Sequence, residues 1–139
     1  MIFRLILFVF AFACSAGASA QVQVSNSKYD AMLKSLLKRD VPEISVDSLA
    51  ACSDKVMLLD AREKKEYDVS HLKNAKYVGY DNFSTDSVKG IAKDKAIVVY
   101  CSVGYRSEQV TRKLKAAGYT NVRNLYGGLF EWKNKSMAV

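Results

Sequence analysis

The stretch Ala96-Ile97-Val98-Val99-Tyr100-Cys101-Ser102-Val103-Gly104-Tyr105-Arg106 decides the fold. Its first five residues form a continuous apolar run, which is typical of a strand in the middle of a parallel sheet covered on both faces. Residues 106–117 carry Val110, Leu114 and Ala117 on one side and therefore predict a helix. The stretch predicts a strand, a short loop that begins at Cys101, and a helix.

The rest of the chain repeats this alternation of strand and helix. Val56-Met57-Leu58-Leu59 is a second buried strand, and Asn121–Leu125 is a further short one. Glu63–Val69 and Thr85–Ala92 are compatible with helices, and Gly127-Gly128 turns the chain into a final helix whose Phe130 and Trp132 are predicted to pack in the core. The pattern predicts an α/β domain with a mainly parallel central sheet and helices on both faces.

Residues 21–41 are predicted to form a helical extension that precedes a domain of residues 42–139. Between Ser27 and Arg39 one apolar stripe recurs at helical spacing, and Ser27 with Asp30 resembles a capping box. The stripe comprises Tyr29, Met32, Leu33, Leu36 and Leu37. Pro42 ends the pattern. The extension is expected to pack on the domain, where it could cover the active face, dock a partner or complete the core.

Residues 1–20 have the pattern of a secretory signal peptide. A short basic segment ending at Arg4 precedes the apolar run Leu5–Ala13, and Ala18-Ser19-Ala20 forms a cleavage motif before Gln21. Acylation of Cys14 in a lipoprotein-type signal is the alternative. The mature protein is expected outside the cytoplasm, periplasmic or secreted, without a transmembrane helix.

Length and charge exclude several classes of protein. The 139 residues suffice for one compact domain. The formal charge of +7 is spread along the chain rather than concentrated beside aromatic residues, so no nucleic-acid partner is predicted. A single histidine and the lack of C-x-x-C spacing argue against a zinc site. Cys52, on a predicted helix, is expected to be a buried thiol without a disulfide to Cys101.

The loop 101–106 is the candidate for chemistry. Ligands bind at the carboxyl ends of the strands in an open α/β sheet, and Cys101 follows a buried strand at once. Gly104 permits a positive φ, so backbone N–H groups at the helix N-terminus can face the sulfur. Such a setting, with Arg106 nearby, favours a thiolate and would stabilise a persulfide anion.

Three ordered motifs resemble the rhodanese family. The loop is similar to its active loop C-R-x-G-x-R, with Ser102 in place of a frequent Arg. The segment from Leu59-Asp60-Ala61-Arg62 through Glu66-Tyr67 to Ser70-His71-Leu72 and Ala75 resembles its D-x-R…E-[FY]…G-H-[IL]…A signature, with Ser70 in place of Gly. Gly118-Tyr119-Thr120-Asn121-Val122, Leu125, Gly127-Gly128 and Trp132 resemble its closing pattern.

The resemblance implies a sulfurtransferase. It moves a sulfane sulfur from thiosulfate or a similar small anion to a thiophilic acceptor, such as cyanide or a thiol, through a persulfide on Cys101. Substrate would be bound by the loop residues Ser102, Val103, Gly104, Tyr105 and Arg106. No cofactor is implied, and a redox or sulfur-acceptor protein is a possible partner. The alternative is a non-catalytic or partner-dependent module that carries sulfur or binds a partner.

Other residues near the predicted site have simpler interpretations. Asp60 and Arg62 are expected to form an ion pair that tethers neighbouring loops, with Arg62 as a second anion contact in the alternative. His71 is expected in a structural turn rather than in a Cys–His pair. A tyrosine-phosphatase-like loop is not predicted, because it needs five residues between Cys and Arg and this chain has four, with Ser107 in the phosphatase Arg position.

Overall fold

The structure, a computed structural model, describes residues 21–139, so the predicted signal segment and Cys14 lie outside the described residues. The strands are β1 Glu43–Ile44, β2 Met57–Asp60, β3 Lys76–Tyr77, β4 Ile97–Tyr100 and β5 Val122–Leu125. The helices are α1 Ser27–Leu36, α2 Val46–Cys52, α3 Lys64–Val69, α4 Tyr105–Ala116 and α5 Gly128–Asn134. Within residues 21–139, no helix has the length and apolar character needed to cross a membrane.

The five strands form one sheet in the order β1-β5-β4-β2-β3, and every pairing is parallel. The predicted α/β fold is therefore confirmed. Asp60 pairs with Tyr100, so β2 and β4 end level with each other. This register brings the residues after both strands to one edge of the sheet, where Cys101 begins its loop.

Helices cover both faces of the sheet. Val98 and Tyr100 of β4 point into a cluster with residues of α2 and α5, whereas Ile97 and Val99 point into a cluster with residues of α4. Alternate residues of one strand thus reach opposite clusters, and all four are fully buried. This double burial explains why the strand is apolar at every position.

The N-terminal extension packs on the domain, as predicted. Leu33 and Leu37 are buried in a third cluster with Val24 and Tyr126, and Val103 of the active loop packs against that cluster. The predicted stripe is only partly right, because Met32 and Leu36 are 43% and 42% exposed. Only one side of α1 contacts the rest of the protein, and its other side faces solvent.

Three local predictions require correction. The N-cap of α1 is Asn26, whose side chain accepts a hydrogen bond from the Tyr29 amide, so the capping box at Ser27 was wrong. The predicted helix Thr85–Ala92 is a short 3-10 helix, Thr85–Val88, in which only Val88 is buried and no apolar stripe anchors further turns. Phe130 is 54% exposed, while Trp132 lies in the core as expected.

Candidate active site

Cys101 follows β4 directly and lies beneath its loop. The residue is 1% exposed. The backbone N–H of Gly104 donates a hydrogen bond to Cys101 Sγ over 3.1 Å. The loop therefore curls back on the sulfur and presents a fixed donor to it, which is the arrangement that stabilises negative charge on sulfur.

Gly104 makes this curl possible. Its φ of +118° lies in the left-handed region, and the residue is the N-cap of α4. A Cβ at this position would meet Leu125 O at 3.4 Å and Leu37 Cδ1 at 3.5 Å, so the space is tight but open. The backbone conformation, more than the space, requires glycine here.

The N-terminus of α5 holds the opposite side of the loop. The amides of Leu129 and Phe130 donate to the carbonyl oxygens of Cys101 (2.9 Å) and Ser102 (3.0 Å). These bonds pair two loop carbonyls with amides of the first turn of α5, which have no partner within the helix. The loop is thereby fixed from both sides, between α4 and α5.

A serine and an asparagine form a second polar contact at the sulfur. Ser107 Oγ lies 3.4 Å from Cys101 Sγ and 2.6 Å from Asn124 Oδ1. Asn124 Nδ2 donates to Gly104 O over 3.0 Å, which fixes the orientation of its amide. Because a hydroxyl carries one rotatable proton, Ser107 can turn from Asn124 to a negatively charged sulfur. All three residues are buried.

Arg106 points from the first turn of α4 to Glu66 of α3. Its Nη1 and Nη2 donate to the two carboxylate oxygens over 2.8 and 3.1 Å. Nη2 also donates to Ser102 Oγ over 3.1 Å. Hydrogen bonds from Arg106 lower the pKa of Glu66 to about 2. The pKa of Arg106 is raised, first by those bonds and further by negative charge on Cys101.

The remaining loop residues point in different directions. Val103 packs against the extension cluster of Val24, Leu33, Leu37 and Tyr126, whereas Tyr105 is 42% exposed at the start of α4. The structure places the Gly104 amide against the sulfur, whereas Val103 and Arg106 contact other parts of the protein. Their role in binding substrate stays a prediction.

Asp60 and Arg62 form the predicted ion pair. Arg62 Nη2 donates to Asp60 Oδ2 over 2.7 Å and to Ser70 O over 2.7 Å, so the pair ties β2 to the turn after α3. Both residues are buried. His71 stacks on the Tyr67 ring with centroids 3.8 Å apart, in keeping with a structural role. No disulfide joins Cys52 and Cys101, the two cysteines of residues 21–139.

A cleft of about 480 Å³ opens beside the loop. Arg62 and Arg106 both line it, so the alternative of Arg62 as an anion contact stays open. The remaining lining residues are Glu63, Lys64, Tyr77, Val78, Gly79, Tyr80, Asp81 and Asn82. Cys101 itself lies outside the lining. A small molecule in the cleft would therefore meet the Arg106 side of the loop first.

Sequence reasoning missed three polar residues of the site. Glu66 belongs to a motif of the resemblance, but its contact with Arg106, forty residues later in the chain, leaves no signal in the sequence. Asn124 is a fully buried amide within strand β5, and such a residue requires polar partners. Ser107 carried no signal of its own, because serine is common in the first turn of a helix.

Comparison with known proteins agrees with this geometry. The family model of the rhodanese-like domain matches residues 45–135. The chain is 33% identical over 85 residues to the tRNA uridine(34) hydroxylase of Escherichia coli, a match that covers 58% of this chain and 24% of that protein. The chain thus spans about a quarter of the length of this curated relative.

Solved structures share the fold. A rhodanese-like domain protein from Staphylococcus aureus is 27% identical with a TM-score of 0.58, over 66% of this chain and 90% of that one. The human single-domain sulfurtransferase TSTD1 is 22% identical with a TM-score of 0.59, over 68% and 96% of the two chains. Because the family model matches well over half of its residues, the chain belongs to the rhodanese-like domain family.

Proposed function

We propose that the protein is a sulfurtransferase. It takes a sulfane sulfur from thiosulfate or a similar donor, carries it as a persulfide on Cys101, and passes it to a thiophilic acceptor such as cyanide or a thiol. The observation that carries the proposal is the hydrogen bond of 3.1 Å from the Gly104 amide to Cys101 Sγ, with Gly104 as the N-cap of α4. A cysteine that only filled the core would not need a backbone donor aimed at its sulfur.

In the first half-reaction the Cys101 thiolate attacks the outer sulfur of thiosulfate. The sulfur–sulfur bond of thiosulfate breaks, and sulfite leaves with the electron pair. The product is a Cys101 persulfide anion. The Gly104 amide and the Ser107 hydroxyl donate to Sγ and so stabilise the attacking thiolate, and the positive end of the α4 dipole favours negative charge on either sulfur.

In the second half-reaction the acceptor attacks the outer sulfur of the persulfide. The sulfur–sulfur bond on Cys101 breaks and the Cys101 thiolate is restored. With cyanide the product is thiocyanate. Each half-reaction is a displacement at sulfur, so electrons and charge balance without a cofactor.

Steady-state kinetics with thiosulfate and cyanide test the proposal. Covalent transfer predicts parallel double-reciprocal lines. Cys101→Ser is expected to abolish thiocyanate formation, and Arg106→Ala to raise the KM for thiosulfate more than it lowers kcat. Intersecting lines, or activity retained by Cys101→Ser, would overturn the proposal.

A partner-dependent sulfur carrier is the second candidate. It is favoured by the burial of Cys101, which is 1% exposed and lies outside the lining of the cleft. On this account a docked protein opens the loop before transfer. Thiocyanate formation by the isolated protein distinguishes the two candidates, because the carrier would need its partner.

We further propose that the protein acts outside the cytoplasm, in the periplasm or after secretion. The support is the signal-type pattern of residues 1–20. Intact mass of the protein recovered from a periplasmic or secreted fraction tests this, since cleavage would leave Gln21 as the first residue. Acylation of Cys14 would instead give a lipid-bearing species.

A further inference from the structure

The charge around the active loop is balanced, which is unexpected for a protein proposed to take a doubly charged donor. Arg106, the cation of the loop, forms a two-bond pair with Glu66 over 2.8 and 3.1 Å. Ser102 Oγ accepts a hydrogen bond from Arg106 Nη2 over 3.1 Å, and its side chain adds no charge. With a thiolate on Cys101, the three side chains of Cys101, Arg106 and Glu66 together would carry a net negative charge.

The other cations of the cleft are also paired. Arg62 bonds to Asp60 over 2.7 Å, and Lys64 bonds to Asp68. Glu63, which pairs with Lys65 over 3.1 Å, and Asp81 line the same cleft. The cleft thus offers donors for hydrogen bonds but little excess positive charge.

We propose that Glu66 sets the charge preference for the sulfur donor, and that the site takes singly charged organic donors of the thiosulfonate or persulfide class in preference to the thiosulfate dianion. This inference rests on the proposed sulfur transfer. Glu66 acts through Arg106, so it is a positioning residue rather than a catalytic one. It keeps the guanidinium in a neutral pair and repels the second charge of thiosulfate.

Chemistry at Cys101 is the same for either donor. With a thiosulfonate, the thiolate attacks the outer sulfur, the sulfur–sulfur bond breaks, and a sulfinate leaves with the electron pair. With thiosulfate the leaving group is sulfite. Because the two leaving groups have similar shapes and differ by one charge, a pair of such donors isolates the electrostatic effect.

The test compares methanethiosulfonate with thiosulfate as donors, with cyanide as the acceptor. Wild type is expected to have the higher kcat/KM for methanethiosulfonate. In Glu66→Gln the ratio of kcat/KM for thiosulfate to that for methanethiosulfonate should rise about tenfold. This is the change expected when the second charge of thiosulfate no longer meets a partly exposed carboxylate several ångströms away. Raising ionic strength should narrow the difference between the donors.

Two control variants separate charge from structure. Asp94→Asn removes the same charge from an exposed residue beyond the opposite edge of the sheet and should leave the ratio unchanged. Glu66→Asp keeps the charge with a shorter side chain, so its ratio should stay near that of wild type. Gln at position 66 retains an oxygen that can accept the Glu63 amide, which Glu66 accepts over 2.8 Å at the start of α3.

The outcomes are distinct for the two proposals. An unchanged donor ratio in Glu66→Gln, or a wild type that prefers thiosulfate, would overturn the role of Glu66 and leave sulfur transfer intact. A wild type that takes sulfur from neither donor, with its Cys101 thiol titratable, would overturn sulfur transfer itself and the donor preference with it.

Discussion

Gly128 lies against the backbone of Cys101. A Cβ on Gly128 would stand 2.6 Å from Cys101 O and 2.5 Å from Ser102 O, and its φ of +58° is in the left-handed region. The start of α5 can approach the loop and bond its carbonyls only because this side chain is absent. The active loop is therefore shaped as much by a residue behind it as by its own sequence.

Gly128→Ala is expected to damage both the loop and the fold. The left-handed backbone alone costs about 1–2 kcal/mol for a non-glycine residue, and the contact with backbone oxygens adds to it. We expect a fall of more than about 2 kcal/mol in the free energy of unfolding, measured in urea, and at least a tenfold fall in sulfur transfer. Gly90→Ala is the control, because a Cβ at position 90 meets nothing within 4 Å. Equal behaviour of the two variants would contradict this account.

Ser107→Ala is expected to slow sulfur transfer without unfolding the protein. The hydroxyl is the second donor within reach of Cys101 Sγ, and a hydrogen bond to a charged group contributes about 1.5–3 kcal/mol. We expect kcat/KM to fall about tenfold or more. Ser35→Ala, on the exposed side of α1, should match wild type in the same assay. A full rate for Ser107→Ala would show that the hydroxyl serves only Asn124.

The extension should stabilise the domain through one edge of α1. Leu33→Ala removes a fully buried side chain and is expected to lower the free energy of unfolding by about 2–5 kcal/mol. Leu36→Ala, at a 42% exposed position of the same helix, should change it by about 0.5 kcal/mol or less. Urea denaturation of both variants measures the difference. Similar losses in the two variants would contradict the burial of α1 on one side only.

The pair of Glu66 and Arg106 predicts a pH-dependent contribution to stability. The pKa of Glu66 is lowered from 4.5 to about 2 in the folded protein. Its contribution is therefore complete above the unfolded pKa and is lost as the pH falls through the folded value. We expect the difference in unfolding free energy between wild type and Glu66→Gln to be constant from about pH 6 upward and to change progressively between about pH 5 and pH 1. A difference that is the same at about pH 6 and pH 1 would rule out the ion pair as its cause.

The sequence predicted the parts of the fold whose cause is local. β4 could be predicted because burial on both faces makes each of its residues apolar. α4 could be predicted because its buried apolar residues recur at helical spacing. Phe130 was misplaced because α5 has only seven residues, too few for a stripe to show which side is buried. The prediction of a helix from Thr85 onward was wrong for a similar reason, because this segment is short and has no apolar side to be buried.

The candidate site was predicted less completely, because its polar contacts join distant parts of the chain. Cys101, Gly104 and Arg106 are close in sequence and form a recognisable motif. Glu66 precedes Arg106 by forty residues, and the two meet only because α3 and α4 both follow strands that end at one edge of the sheet. Asn124 reaches Ser107 from a different strand again. Contacts between residues so far apart in the chain leave no periodicity or spacing in the sequence from which they could be predicted.

The most direct test of sulfur transfer is the intact mass of the purified protein after incubation with excess thiosulfate, beside Cys101→Ser. Sulfur transfer through Cys101 predicts a gain of one sulfur, about 32 Da and reversed by a reducing thiol, on wild type alone. No gain on a wild type whose Cys101 thiol remains titratable would contradict it.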